Sequence, residues 1–133
     1  KLGKYHRTFC ENCGKPIEGE APVLRCKDCD TQNITMGVFD RIEIIKDKER
    51  TKSPSFRPPY YYQIPLTFIP GLGGKTIDKL LNHFGTEMTI LHELTTDDIE
   101  AVVGEKIAKN IVDARDGNMH IVEGGGGVYG KVE

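Results

Sequence analysis

Apolar positions recur with a helical period in the second half of the chain, and with no sustained period in its first thirty residues. Ile77, Leu80, Leu81 and Phe84 fall at i, i+3, i+4 and i+7, the stripe of a helix laid on a core. Gly85 follows as the glycine that ends it. Residues 65–69 predict a short helix before it, with Pro65 tolerated at the start. Further on, Thr95 reads as an N-cap, with Asp97 and Asp98 in the turn where carboxylates suit the helix dipole. Ile99, Val102 and Val103 form that helix's apolar face; Ile107, Ile111 and Ala114 stripe the next, which Gly117 closes. Residues 86–91 predict a short connecting helix. Residues 33–47 fit two periods: Val38, Ile42 and Ile45 are helical, whereas Val38, Ile42 and Ile44 fit a strand. A helix capped by Thr35 is the preferred reading. Residues 5–9, 23–25 and 119–122 predict brief strands, and the four glycines of residues 124–127 predict a mobile loop.

The turns between these helices carry the first candidate chemistry. Pro70-Gly71-Leu72-Gly73 would join the short helix to the striped one as a hairpin, with Leu72 turned into the core. Val103-Gly104-Glu105-Lys106 looks like a degenerate second copy, so residues 65–118 read as an all-helical tandem helix-hairpin-helix domain. Gly73-Gly74-Lys75-Thr76 is not a nucleotide-binding loop, because Ile69 stands where that motif requires glycine. Amide N–H groups at the start of a helix lack helical partners and can donate to a phosphate oxygen. Gly71, Gly73, Gly74, Lys75, Thr76 and Lys79 are therefore candidate DNA contacts, and Lys106 and Lys109 are weaker ones beside the repelling Glu105. Such contacts hold the backbone and read no base sequence. The plainer alternative is a helical turn that uses glycine for packing.

All four cysteines lie near the start, as Cys10-x2-Cys13 and Cys26-x2-Cys29. Two disulfides or one metal site would both use four cysteines. Paired C-x2-C turns bring four thiolates to one ion, and no secretory signal is present, so a structural Zn²⁺ is the preferred reading. Four protein sulfurs leave no open coordination position, which makes the ion a substitute for a core rather than a catalyst. Gly14 suits the turn after Cys13, and Lys15, Arg25 and Lys27 are placed to offset the cluster's negative charge.

Composition is that of an ordinary folded protein, 38% hydrophobic and 29% charged. No apolar run approaches the roughly 18 residues of a membrane helix, and a cytoplasmic, intracellular protein without membrane contact is expected. Charge is divided: residues 1–64 carry 12 Lys/Arg and 9 Asp/Glu, while residues 65–133 carry 6 and 11. With no polybasic arm, nucleic-acid binding must rest on local geometry. The expected organisation is a zinc-binding module over 1–48, a Pro/Tyr-rich linker over 49–64, the helical domain over 65–118 and a Gly-rich tail over 119–133, an α+β protein. In the linker, Arg57 and Tyr60, Tyr61 and Tyr62 follow a stiff Pro58-Pro59 pair. They either stack on bases or dock the linker onto a neighbouring domain. The chain lacks an initiator Met and is expected to be part of a longer protein.

The order of these parts resembles the C-terminal half of endonuclease Q family proteins. The cysteine knuckles, Arg57-Pro58-Pro59-Tyr60, Ile64-Pro65-Leu66, the hairpin unit and the Gly-Gly-Gly-Gly-Val-Tyr-Gly tail carry the likeness. The resemblance implies a region of a DNA-repair nuclease that nicks beside deaminated bases or abasic sites. Its partners would be DNA and an N-terminal metal-dependent nuclease domain. The four histidines here, His6, His83, His92 and His120, are scattered and form no H-x-H pair. The expectation is a non-catalytic, DNA-binding region; the alternative is a zinc-stabilised scaffold that braces the catalytic domain without binding DNA itself.

Overall fold

A computed structural model describes residues 1–48 and 52–133. The start of the expected linker, residues 49–51, lies outside the described residues. The fold is α+β: the described residues form two small antiparallel sheets and five α-helices in the order β1 (Phe9–Cys10), β2 (Lys15–Pro16), β3 (Ile34–Thr35), α1 (Val38–Ile45), α2 (Gly74–Phe84), α3 (Glu87–His92), α4 (Thr96–Val103), α5 (Glu105–Asp116), β4 (Ile121–Val122) and β5 (Lys131–Val132). The chain divides into two units. One holds residues 1–58 and 121–131, the other residues 59–120 and 132–133.

In the first unit, β1 is central, with Cys10 opposite Lys15 of β2 on one side and Ile34 of β3 on the other. Its apolar core is small: Cys10, Ile17, Val23 and Cys26, flanked by Cys13 and Ile34. A buried polar lock supplements it. Asp40 of α1 is fully buried and accepts from the Val23 amide at 2.8 Å, the Thr8 hydroxyl at 2.7 Å and the Thr8 amide at 3.3 Å. The Thr8 oxygen in turn accepts from the Gly37 amide. Opposite Asp40 the helix presents Val38, Ile42 and Ile45, each more than half exposed. Residues 33–47 thus contain both a strand and a helix, and the helix begins two residues later than the sequence predicts. Gly37 is its N-cap, while Thr35 lies in β3 and bonds Glu11. Residues 5–9 form a strand only from Phe9, and residues 23–25 form none, because the Val23 amide is taken by Asp40 instead of a strand partner.

The Gly-rich segment differs most from expectation. It is threaded against the N-terminal residues by backbone bonds: Gly124 N–H to Lys1 O, Arg7 N–H to Gly124 O, Gly127 N–H to Lys4 O and Gly130 N–H to Leu2 O, all 2.9–3.1 Å. Its glycines are there for close approach. A Cβ on Gly124 would overlap the Gly3 carbonyl oxygen, and one on Gly126, at φ +59°, would overlap the Phe9 ring. Glu123 receives Lys1 and Arg7 at 3.3 Å each, and Arg7 also donates to the Gly19 carbonyl at 2.9 Å.

The second unit is helical around Ile64, Leu66, Ile69, Leu72, Leu80, Ile90, Leu91, Ile99, Ala108, Ile111 and Ala114, all buried. Residues 66–68 form a single 3-10 turn where a short helix is predicted. Thr86 caps α3, and Thr95 caps α4 in a reciprocal box with Asp98, which satisfies two orphan N-terminal amides at once. Hydrogen bonding to the Thr95 hydroxyl and amide holds the Asp98 carboxyl below the usual carboxylate range. Gly85 and Gly117 end α2 and α5 at φ 87° and 74°. Arg115 closes the C-terminal end of α3, donating to the carbonyls of Leu91, Leu94 and Ile90 at 2.6–3.0 Å. No described helix is long and apolar enough to cross a membrane.

Candidate metal centre and hairpin site

The two C-x2-C turns converge. The four cysteines are free thiols, and their sulfurs lie within 4.8 Å of one another. Cys10 and Cys29 are 3.6 Å apart, and Cys13 and Cys26 3.8 Å. A tetrahedral ion bound at about 2.3 Å sets its sulfurs roughly 3.8 Å apart, whereas a disulfide needs about 2.05 Å. The spacing therefore suits one shared metal ion and no cross-link. Gly14, at φ +66°, makes the turn after Cys13, and the Cys13 amide donates to the Cys10 sulfur at 3.3 Å. In the metal-free state the Cys29 backbone N–H brings the Cys26 thiol down to about 7. Hydrogen bonds with the Cys29 and Cys10 sulfurs push Cys13 up to about 12. Cys26 is thus the sulfur most ready to give its proton to an arriving ion, and binding at the others releases protons. Of the three expected counter-charges, Lys15 pairs with Asp28 at 2.8 Å and Arg25 with Asp30 at 3.0 Å. These pairs brace the knuckles rather than the sulfurs.

The candidate phosphate contacts fall into two groups. Gly71, Gly73, Gly74 and Lys75 are exposed together where the chain enters α2, and Thr76 is half-buried behind them. Gly71 takes φ +84°, a left-handed conformation that a side chain would strain. Leu72 points inward, 7% exposed, with its amide on the Ile69 carbonyl. Within the helix the first backbone bonds come from Thr76 and Ile77, both to the Gly73 carbonyl. The amides of Gly73, Gly74 and Lys75 precede that ladder, as at any helix start. Asn110 of α5 fixes the turn from behind by donating to the Pro70 carbonyl at 2.9 Å. Neither Asn110 nor Arg115 was legible as a site residue, since each acts on a carbonyl 20 to 40 positions away.

The lysines beyond the turn are differently placed. Lys79 donates to the Val102 carbonyl of α4, and Lys109 is paired with Asp113 at 2.7 Å. Both have protein partners where phosphate contacts were expected. Lys106 sits exposed in the first turn of α5 next to Glu105. In the linker, Tyr60, Tyr61 and Tyr62 are 78%, 65% and 86% exposed.

No protein-family profile matches the chain. It is 47% identical over 133 residues to the uncharacterized protein YqxK of Bacillus subtilis, covering 99% of this chain and 33% of that protein. It is 34% identical to the uncharacterized protein MJ0043 of Methanocaldococcus jannaschii, of which it covers 18%. Among solved structures it is similar to the lesion-specific endonuclease PfuEndoQ from Pyrococcus furiosus, with TM-score 0.73, 32% identity and 35% of that chain covered. It is equally similar in sequence to endonuclease Q in complex with a 27-mer duplex substrate bearing an abasic lesion at the active site, with TM-score 0.76 and 36% covered. The chain thus matches part of an endonuclease Q-like protein and spans about a third or less of each relative's length.

Proposed function

We propose that this chain is a non-catalytic, DNA-binding region of an intracellular DNA-repair nuclease acting on deaminated or abasic DNA. It grips phosphates without reading sequence, and a structural Zn²⁺ at Cys10, Cys13, Cys26 and Cys29 holds its first unit. The observation that carries the reading is the turn into α2. Exposed amides of Gly73, Gly74 and Lys75 open an eleven-residue helix, and the same part of a relative belongs to a protein solved with duplex DNA. Lys75 adds a cation where the dipole is positive, so its role is to meet an anion rather than to stabilise the helix. Lys79 and Lys109 meet protein partners through exposed contacts that a phosphate can displace, and a small number of phosphate contacts gives modest affinity with a correspondingly shallow salt dependence. Catalysis belongs to an N-terminal nuclease domain in this reading.

One observation favours the scaffold reading as a second role for the first unit. The exposed stripe of Val38, Ile42 and Ile45 on α1 is a surface suited to another protein domain. Fluorescence anisotropy of the zinc-loaded chain with a labelled duplex at low salt tests the DNA reading. Binding that weakens roughly tenfold on Lys75→Glu and falls as salt rises is the expected result. No binding by a folded chain leaves the scaffold alone.

A further inference from the structure

The tyrosine run lies in the same unit as the α2 hairpin, and its environment is chemically unlike the rest of the molecule. Although residues 65–133 are acidic as a whole, residues 52–77 contain Lys52, Arg57 and Lys75 and no Asp or Glu. Nothing in that stretch of sequence repels a polyanion. Within it, Tyr60, Tyr61 and Tyr62 remain 65–88% outside the fold together with Phe56. A linker whose aromatics served to pin it onto the helical unit would bury them. Only the base of the run is fixed: the Tyr61 ring lies 5.4 Å from His92, and His92 Nε2 is 2.9 Å from the Gln63 side-chain oxygen. Ile64 then enters the core. Tyr60 and Tyr62 meet edge to face at 4.9 Å, 71° apart, which leaves ring faces open to solvent.

We propose that Tyr60 and Tyr62 form a stacking platform for unpaired bases of single-stranded or locally opened DNA, on the same strip of chain whose hairpin holds phosphate. The inference deepens the DNA-binding reading and rests on it. The Tyr60 and Tyr62 rings meet at 4.9 Å and the two residues remain 78% and 86% exposed, so an unpaired base can stack on an outer ring face. Stacking on Tyr is tolerant of base identity because every base offers a π-face. The prolines at 58 and 59 stiffen the segment before binding, which lowers the ordering cost. A protein surface is the less fitting occupant, because the flanking charge is of one sign.

The test uses the zinc-loaded chain and labelled 12-nucleotide oligo-dT, an intact duplex and a duplex with an abasic site. Stacking contributes about 1–3 kcal/mol per base, or roughly 5- to 150-fold. The Tyr60→Leu/Tyr62→Leu variant is expected to lose at least about tenfold in single-strand affinity and to bind the intact duplex within twofold of the parent. Tyr60→Phe/Tyr62→Phe keeps the π-faces and is expected to bind like the parent. Lys75→Glu weakens the intact duplex instead, so failure of the hairpin grip and failure of the platform are separately visible. Single-strand affinity unchanged in the Leu variant overturns the proposal. So does an effect confined to self-association, which would assign the rings to a protein contact. Metal content and far-UV circular dichroism verify that each variant is folded.

Discussion

Helices α1 and α2 each carry an apolar stripe and turn them in opposite directions. In α2, Leu80 is fully buried, and Ile77, Leu81 and Phe84 are half-buried around it. In α1 the stripe of Val38, Ile42 and Ile45 faces solvent, and the buried residue is Asp40. The second unit has enough apolar side chains to make a core, so its helices obey the usual rule. The first unit has four buried apolar residues, two of them cysteines. A module of that size is too small to be held by its core and needs a metal or cross-link. Its helix is docked by hydrogen bonds from one carboxylate, and its apolar face is left over. A sequence stripe therefore identifies a helix, but which side is buried depends on what the helix docks against.

The largest expected effect separates the two units. Chelating the metal should unfold the first unit, since binding to such sites supplies about 10–16 kcal/mol of folding free energy. The helices of the second unit should persist, because their core contains no cysteine. Amide resonances assigned to each unit, followed during chelation, check this. Simultaneous loss of both sets would break the comparison and make the two units one cooperative structure. Metal loading should weaken progressively as pH falls, and more steeply below about 7, where Cys26 also keeps its proton.

Next in size is the contrast between stripe and lock. Asp40→Ala removes an acceptor from Val23 and Thr8 and leaves those groups buried, at a cost of about 3 kcal/mol. Leu80→Ala should cost a similar 2–5 kcal/mol through its cavity. Ile42→Ser, on the exposed side of α1, should stay within about 0.5 kcal/mol. Denaturant midpoints of the three variants measure this. A large loss for Ile42→Ser would mean that the exposed face is covered in solution.

The smallest effect is the cap of α4. Because the folded Asp98 carboxyl titrates below its ordinary range, its contribution is complete above about pH 3.9 and is lost as pH falls through the lower folded value. Asp98→Ala should abolish that acid-side slope while leaving the neutral-pH fold intact, as thermal melts between pH 2 and 6 would report.

The legible features are those with short-range causes. The helix ends at Gly85 and Gly117, the Thr95 cap and the convergence of two cysteine turns follow from spacing within a few residues, because capping and chelate geometry are local. The α2 stripe was legible for the same reason. The opposite holds for the glycine run of residues 124–127. Taken alone it reads as a loop without constraint; in the fold, its lack of side chains is what lets it lie against residues 1–9. The hydrogen bond from Lys79 to the Val102 carbonyl of α4 is of the same long-range kind.

The sequence by itself determined the ends of α2 and α5, the start of α4 and which four sulfurs could share an ion, since each depends on neighbours along the chain. Only the tertiary structure decided which face of α1 is buried, that Lys79 is engaged by the Val102 carbonyl, and that the C-terminal glycines are packing positions. Those outcomes depend on groups 20 to more than 100 residues away. Burial and hydrogen-bond satisfaction are set by such distant partners, and no local period encodes them.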